Sequence, residues 1–257
     1  MGLRAPILFL FSWALALGQP AHSITKIVSA ASGAAVVAPN SIATIYGVNL
    51  TDRTESATAL PLPIQLAGIT VVVDGPGLST GAALIYASPT QINFVVPAGI
   101  LPRTARVSVV GPEIIFASST VLVQTVAPAL FSANGDGAGV AAAIGIRTVI
   151  PTNMQTTVAV FLCDAPSGHC HAIPLDVGID APLTLELFGT GIRGGSKISA
   201  TIGGMPVPVQ YAGPQPQFPG LDQVNLPLIL SLRGAGTVDI VLTVDGQASN
   251  PVQVAIQ

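Results

Sequence analysis

Charged residues are scarce in this 257-residue sequence. Asp, Glu, Lys and Arg make up 8% of it, against about 25% in ordinary soluble domains. The formal net charge of −3 is small and scattered, whereas a nucleic-acid-binding surface needs a basic stripe. Half of the residues are hydrophobic, and disordered chains show the opposite balance. We therefore expect a folded chain without a nucleic-acid partner.

Aromatic residues are also scarce, at 5% of the chain, and the single Trp is Trp13. It lies in the N-terminal apolar run, so the rest of the sequence has none. Trp and Tyr provide the flat faces with polar edges on which sugars usually stack. This shortage weighs against a carbohydrate-binding module, which we keep as the alternative function.

Long helical patterns are missing after the N-terminal run. The sequence instead has 27 Gly and 22 Pro, spaced between runs of Val, Ile and Thr, which is typical of short strands joined by tight turns. The βαβ units of cofactor-binding α/β folds need alternating helices. The predicted class is all-β, and no cofactor is expected.

The N-terminus has the pattern of a secretory signal peptide, which we assign to residues 1–23. Arg4 precedes an apolar run over residues 5–17, which is too short to span about 30 Å of hydrocarbon as a helix. Small residues suited to cleavage follow, in Ala16-Leu17-Gly18 and in Ala21-His22-Ser23. An uncleaved anchor is the alternative. We expect a secreted or extracytoplasmic protein, in a periplasm or on a cell surface, with no membrane span after signal removal.

One signature occurs twice. Tyr86-Ala87-Ser88-Pro89 precedes Gln91-Ile92-Asn93, and Tyr211-Ala212-Gly213-Pro214 precedes Gln223-Val224-Asn225. Matching segments lie upstream of each copy, at residues 45–50 and 187–192. Repeats of this kind are supersecondary units used more than once. We predict two tandem β-sandwich domains, at residues 24–126 and 127–257, with strands in the segment 127–182 joining the second.

The repeated polar residues are Tyr86, Gln91, Asn93, Tyr211, Gln223 and Asn225. Equivalent positions in both units favour a shared structural role over a ligand site. We expect the Tyr hydroxyl and the buried Asn amide of each unit to bond to loop backbone, as in the tyrosine corner of immunoglobulin domains.

Cys163 and Cys170 are the only cysteines. Pro166 and Gly168 between them suit a turn that brings the two Cα atoms within bonding reach. In an exported protein a disulfide is the expected state. The alternative is a zinc or copper site formed with His169 and His171, but consecutive strand residues point to opposite faces. We predict a disulfide hairpin in the second domain and no metal.

The longest distinctive run is Tyr211 to Asn225, together with Phe188-Gly189-Thr190-Gly191-Ile192-Arg193. It resembles an uncharacterised C-terminal domain family of secreted acidobacterial proteins, and residues 38–47 and 86–97 are similar to the N-terminal half of that family. The resemblance covers nearly the whole chain after residue 23. It implies tandem immunoglobulin-like units of the IPT/TIG type, and it implies no catalytic residues.

Catalytic motifs give little support to an enzyme. The sequence has no H-E-x-x-H, and its G-x-S-x-G match, Gly77-Leu78-Ser79-Thr80-Gly81, is not followed by the helical pattern that a nucleophile elbow needs. We therefore predict a non-catalytic exported module for adhesion, surface assembly or protein binding, whose partner is an unidentified protein or a cell-surface polymer. A carbohydrate-binding module is the alternative, and a small secreted hydrolase or metal-dependent enzyme is a third.

Overall fold

The computed structural model describes residues 21–112 and 114–257, so most of the proposed signal peptide lies outside the described residues. The strands of the first half are β1 (Ser23–Ser29), β2 (Val36–Val37), β3 (Ile42–Val48), β4 (Glu55–Ser56), β5 (Thr70–Gly75), β6 (Leu78–Gly81), β7 (Ala83–Ala87), β8 (Gln91–Val95), β9 (Thr104–Val110) and β10 (Ile115–Val123). They form two five-stranded sheets, β1-β3-β8-β7-β4 and β2-β10-β9-β5-β6.

The strands of the second half are β11 (Ala129–Leu130), β12 (Ala143–Val149), β13 (Met154–Ala159), β14 (Phe161–Cys163), β15 (Cys170–Ala172), β16 (Pro174–Leu175), β17 (Leu183–Thr190), β18 (Ile198–Ile202), β19 (Met205–Val207), β20 (Tyr211–Pro214), β21 (Asp222–Pro227), β22 (Gly236–Val244), β23 (Gln247–Ala248) and β24 (Val252–Ile256). A single 3₁₀ turn spans Leu230–Leu232. In the described chain no helix is long and apolar enough to cross a membrane.

The two halves share one strand order. β12-β17-β21-β20 repeats β1-β3-β8-β7, and β16-β24-β22-β18-β19 repeats β2-β10-β9-β5-β6. In both, a short strand pairs in parallel with the last strand, β2 with β10 and β16 with β24. This confirms the prediction of an all-β fold with two tandem immunoglobulin-like β-sandwiches.

Each sandwich has its own core, built by alternating side chains. In β5, Val71 and Val73 are buried while their neighbours are partly exposed, and in β24 residues Val252, Val254 and Ile256 are buried in the same way. Since successive strand residues point to opposite faces, this alternation gives each sheet one apolar face. The buried residues of 27–123 and those of 126–256 form separate clusters.

Each of the matching segments, residues 45–50 and 187–192, contains a glycine that lies close to the backbone of a neighbouring strand. A Cβ on Gly47 would overlap the Ser23 carbonyl oxygen, and a Cβ on Gly189 would lie 2.6 Å from the Ala129 carbonyl oxygen. The side chains next to these glycines are also equivalent, Leu50 in one half and Ile192 in the other. The repeat therefore preserves a close backbone approach that only glycine permits.

The second sandwich has one large insertion, at residues 150–173, between β12 and β16. The equivalent β1 and β2 are joined by residues 30–35 only. The insertion contains β13, which extends the sheet beyond β12, and the separate β14–β15 hairpin. β13 ends at Ala159 and β14 begins at Phe161, and Val160 between them is buried in the core.

Thr190, which is fully buried, makes one of the contacts between the sandwiches. Its Oγ1 accepts a hydrogen bond from Ile42 N–H at 2.8 Å and donates to the Gly220 carbonyl oxygen at 2.7 Å. Gly220 packs closely enough on the first sandwich that a Cβ would lie 2.6 Å from the Ile42 side chain. One hydroxyl thus joins a strand of the first sandwich to a loop of the second.

Candidate functional site

The repeated motif forms the same arrangement in both sandwiches. Tyr86 lies opposite Asn93 on neighbouring strands, and Tyr211 lies opposite Asn225. Gln91 Nε2 donates to Asn93 Oδ1 at 3.0 Å, and Gln223 Nε2 donates to Asn225 Oδ1 at 2.9 Å. The motif is therefore a polar ladder on the sheet face away from each core.

The prediction that both asparagine amides are buried and bond to loop backbone is wrong. Asn93 and Asn225 are half-buried, and their Oδ1 atoms accept from side chains rather than from loop backbone. The strand period explains this, because Ile92 and Phe94 occupy the core face and leave Asn93 on the other. Of the two tyrosines, Tyr211 does bond to backbone, with its hydroxyl donating to the Pro214 carbonyl oxygen.

The ladders differ in one contact, which predicts unequal effects of substitution. Asn93 Oδ1 also accepts from the buried Thr44 hydroxyl at 3.1 Å. Asn93→Ala should lower the free energy of unfolding by about 1–3 kcal/mol, since it leaves a buried hydroxyl unpaired, and Asn225→Ala by about 1 kcal/mol. Urea unfolding measures both, and Asn93→Asp, which keeps the acceptor oxygen, is the control. An equal or larger cost at Asn225 would contradict this account.

A buried ion pair that the sequence reading missed lies beside the second ladder. Asp222 is fully buried, and its Oδ1 accepts from Arg193 Nε at 2.6 Å. Its Oδ2 accepts from Ile192 N–H at 2.7 Å, and Arg193 Nη2 donates to the Leu221 carbonyl oxygen. Burial raises the pKa of the Asp222 carboxyl, and the hydrogen bond from Ile192 and the charge of Arg193 oppose that rise. The pair anchors the loop that precedes β21.

That loop forms one wall of an apolar groove between the sandwiches, which we name the junction groove. Its volume is about 500 Å³. The second sandwich contributes Gln217, Phe218, Pro219 and Leu221, and the first contributes Ile42, Ile85 and the segment Ala57, Thr58, Ala59, Leu60 and Leu62. Phe218 and Leu60 are each 59% exposed. Large apolar side chains from two distant parts of the chain thus face one cavity.

Both walls of the junction groove are held by hydrogen bonds. Gln215 Oε1 accepts from the N–H groups of Gln217 and Phe218, at 2.7 and 3.0 Å. On the opposite wall, Ala57 N–H donates to the Ile85 carbonyl oxygen at 2.9 Å. The groove is therefore formed before any partner arrives, which reduces the ordering cost of binding.

A second cleft, of about 450 Å³, lies at the start of β1. The His22 ring stacks on Phe116 with 4.3 Å between ring centroids, and its Nδ1 faces the Asn49 carbonyl oxygen. Asp52 in the same cleft pairs with the exposed Arg53. Within the described residues no hydrogen bond joins the imidazole to a carboxylate here, so the cleft lacks an assembled acid–base pair.

Cys163 and Cys170 lie opposite each other in the β14–β15 hairpin and form the predicted disulfide. The alternative metal site would need their thiolates, which the disulfide consumes. His171 lies 3.9 Å from Asp164 at the exposed hairpin end. In the part of the chain that the structure describes, no three His, Cys, Asp or Glu side chains are grouped to hold a metal ion.

No protein-family model matches the chain, and no curated protein is similar enough to match. Among solved structures, a tandem pair of titin immunoglobulin domains is similar at 10% identity, covering 92% of this chain and 97% of that one, with a TM-score of 0.23. A presumed phosphatase from Bacteroides thetaiotaomicron is similar at 12% identity over 68% of this chain, with a TM-score of 0.25, and this chain spans 45% of its length. At these TM-scores neither likeness bears on function.

Proposed function

We propose that this protein is an exported, non-catalytic binding module and that the junction groove is where it holds an apolar segment of a partner protein. An immunoglobulin-like all-β fold is compatible with such a module. The observation that supports the proposal is the groove itself. It is a preformed cavity lined by Phe218 and Leu60, which are exposed and belong to neither core. Preformed apolar cavities with few polar groups are the usual form of binding sites.

The chemistry of the groove favours an apolar protein segment over a sugar. Its lining has one aromatic ring, Phe218, and its polar side chains are Thr58 and Gln217. A sugar would need several hydrogen-bonding groups around a flat aromatic platform. Aromatic and aliphatic anchors in a dry pocket are instead what protein interfaces use.

Export is part of the same proposal. The disulfide suits an oxidising compartment, and the N-terminal pattern supports a cleaved signal. Ser23 pairs with Val48 in β1, which supports cleavage after Gly18 rather than after Ser23. The tandem fold likewise supports, as a proposal, membership of the exported IPT/TIG-like family that the sequence resembles.

The test of the groove uses a random peptide library displayed on phage and selected on the purified chain from Gln19 onward. Peptides rich in apolar residues should be enriched and should bind Phe218→Ser at least about tenfold more weakly, as for an interface hot spot. Leu230→Ser is the matched control, since Leu230 is 58% exposed but lies outside the groove. Equal binding to both variants would refute the groove, and retardation of the wild type by polysaccharide gels would favour the carbohydrate alternative.

A further inference from the structure

Strand β13 is an uncovered edge of the second sandwich. It is the terminal strand of its sheet, next to β12, and all of its residues except Val158 are exposed. Its sequence, Met-Gln-Thr-Thr-Val-Ala, has neither charge nor proline. Strands with exposed edges of this kind pair readily with another strand unless something blocks them.

Several other edge strands of the described chain are blocked in the usual ways. Pro174, Pro206 and Pro214 lie in β16, β19 and β20, and the two-residue β4 contains Glu55. Proline removes a ladder donor, and a charge opposes pairing. The terminal strands β2 and β6 also have neither protection, but they are only two and four residues long. The six residues of β13 therefore form a longer unprotected edge, which suits a partner strand.

The hydrogen bonds of β12 show which groups of β13 are free. Thr148 N–H donates to the Pro182 carbonyl oxygen and Ile150 N–H to that of Asp180. The backbone N–H and C=O groups of even-numbered β12 residues therefore point toward β17, and those of odd-numbered residues point toward β13. In the register that pairs Arg147 with Thr156, the even residues of β13 bond to β12. The N–H and C=O groups of Gln155, Thr157 and Ala159 therefore point outward.

These free groups are symmetric about Thr157, and we infer that β13 pairs antiparallel with the β13 of a second copy of this chain. With a two-fold axis at Thr157, that residue opposes itself and Gln155 opposes Ala159 of the other copy. All three residues then exchange both backbone hydrogen bonds, so six form. The two sheets join into one continuous sheet across the axis.

The side chains suit a second copy better than a charged partner strand. Thr157 would meet Thr157, and β-branched or hydroxyl pairs across strands are favourable. Neither copy brings a charge into the pairing, because β13 has none, and the chain's net charge of −3 gives little repulsion. A symmetric contact of this kind closes after two copies, because it uses the β13 edge of both.

Cysteine cross-linking of the chain from Gln19 onward tests both pairing and register. In the inferred dimer the two Thr157 Cα atoms lie about 5.5 Å apart, within the range for a disulfide, so Thr157→Cys should form a covalent dimer on mild oxidation. Gln155→Cys is the matched control, because Gln155 is also exposed and lies on the same face, but it is about four residues out of register from its copy and beyond bonding reach. Peptide mapping establishes that Cys163–Cys170 stays intact.

Sedimentation equilibrium gives the independent measurement. The wild type should show a monomer–dimer equilibrium, and Thr157→Pro should weaken it at least about tenfold, since it removes one donor from each copy. Its melting temperature should stay near the wild-type value, because this N–H faces solvent in the monomer and edge strands tolerate proline there. A monomeric wild type, equal cross-linking at both cysteines, or a β13 that pairs only with a different protein would each overturn the inference.

Discussion

Replacing Arg193 with alanine is expected to lower the free energy of unfolding by about 3–5 kcal/mol at neutral pH, the largest single-residue effect that we expect here. Removing one partner of a buried ion pair leaves the other charge uncompensated. Asp222 is fully buried, and two of its closest contacts are the Arg193 guanidinium and the Ile192 N–H. The substitution also removes the donor to the Leu221 carbonyl oxygen.

The pH dependence of this loss has a definite sign. Burial already raises the pKa of Asp222 in the wild type. A carboxyl whose pKa is higher in the folded state contributes most to stability below its unfolded pKa, and that contribution falls as pH rises through the folded value. Arg193→Ala removes the opposing positive charge, so its stability should fall more steeply with rising pH than that of the wild type.

Urea unfolding between about pH 4 and about pH 8, which brackets the range where a raised Asp pKa acts, measures both the size and the slope. Arg233→Ala is the control, because Arg233 is exposed and such surface changes usually stay within about 0.5 kcal/mol. Parallel pH profiles for Arg193→Ala and the wild type would contradict the role given to the pair.

Gly47→Ala and Gly189→Ala should each destabilise their own sandwich by about 1–3 kcal/mol, the range for overpacking a close contact. The added methyl group would meet backbone, Ser23 O in one case and Ala129 O in the other, and backbone cannot move aside as a flexible side chain does. Thermal unfolding followed by circular dichroism measures the effect.

Gly81→Ala is the control for these two. A Cβ there would meet Thr70 and Ile64 at 3.6 and 3.8 Å, which is ordinary contact. It should be neutral or slightly stabilising, because alanine restricts the unfolded chain. If Gly47→Ala and Gly189→Ala melt like this control, the close approach does not explain why the repeat has glycine at both positions.

The tandem fold and the disulfide could be predicted from the sequence because both depend on local pattern. The double occurrence of Tyr and Gln-x-Asn fixes two equivalent strand pairs, and the turn between Cys163 and Cys170 brings them together. The alternation that places Val224 and Leu226 in the core also places Asp222 there, so a signal for the buried carboxylate was present in the sequence.

The ion pair and the junction groove could not be predicted from local sequence pattern. Arg193 lies 29 residues before Asp222, and no local period connects the two. The junction groove joins residues 57–62 to residues 217–221, so it exists only once the sandwiches are in contact. The contact between Thr44 and Asn93 also depends on which residue faces Asn93 across the sheet, and this register is set by tertiary packing.

The insertion at residues 150–173 has a consequence for how such chains can diversify. It leaves the framework after β12, in one sheet, and returns at β16, in the other, at the place where the first sandwich changes sheets with a six-residue connection. New length is therefore accommodated at the rim, and the strand order of both sheets is kept. The length of this connection can therefore change without changing either core, and the two sandwiches of this chain show the short and the long form side by side.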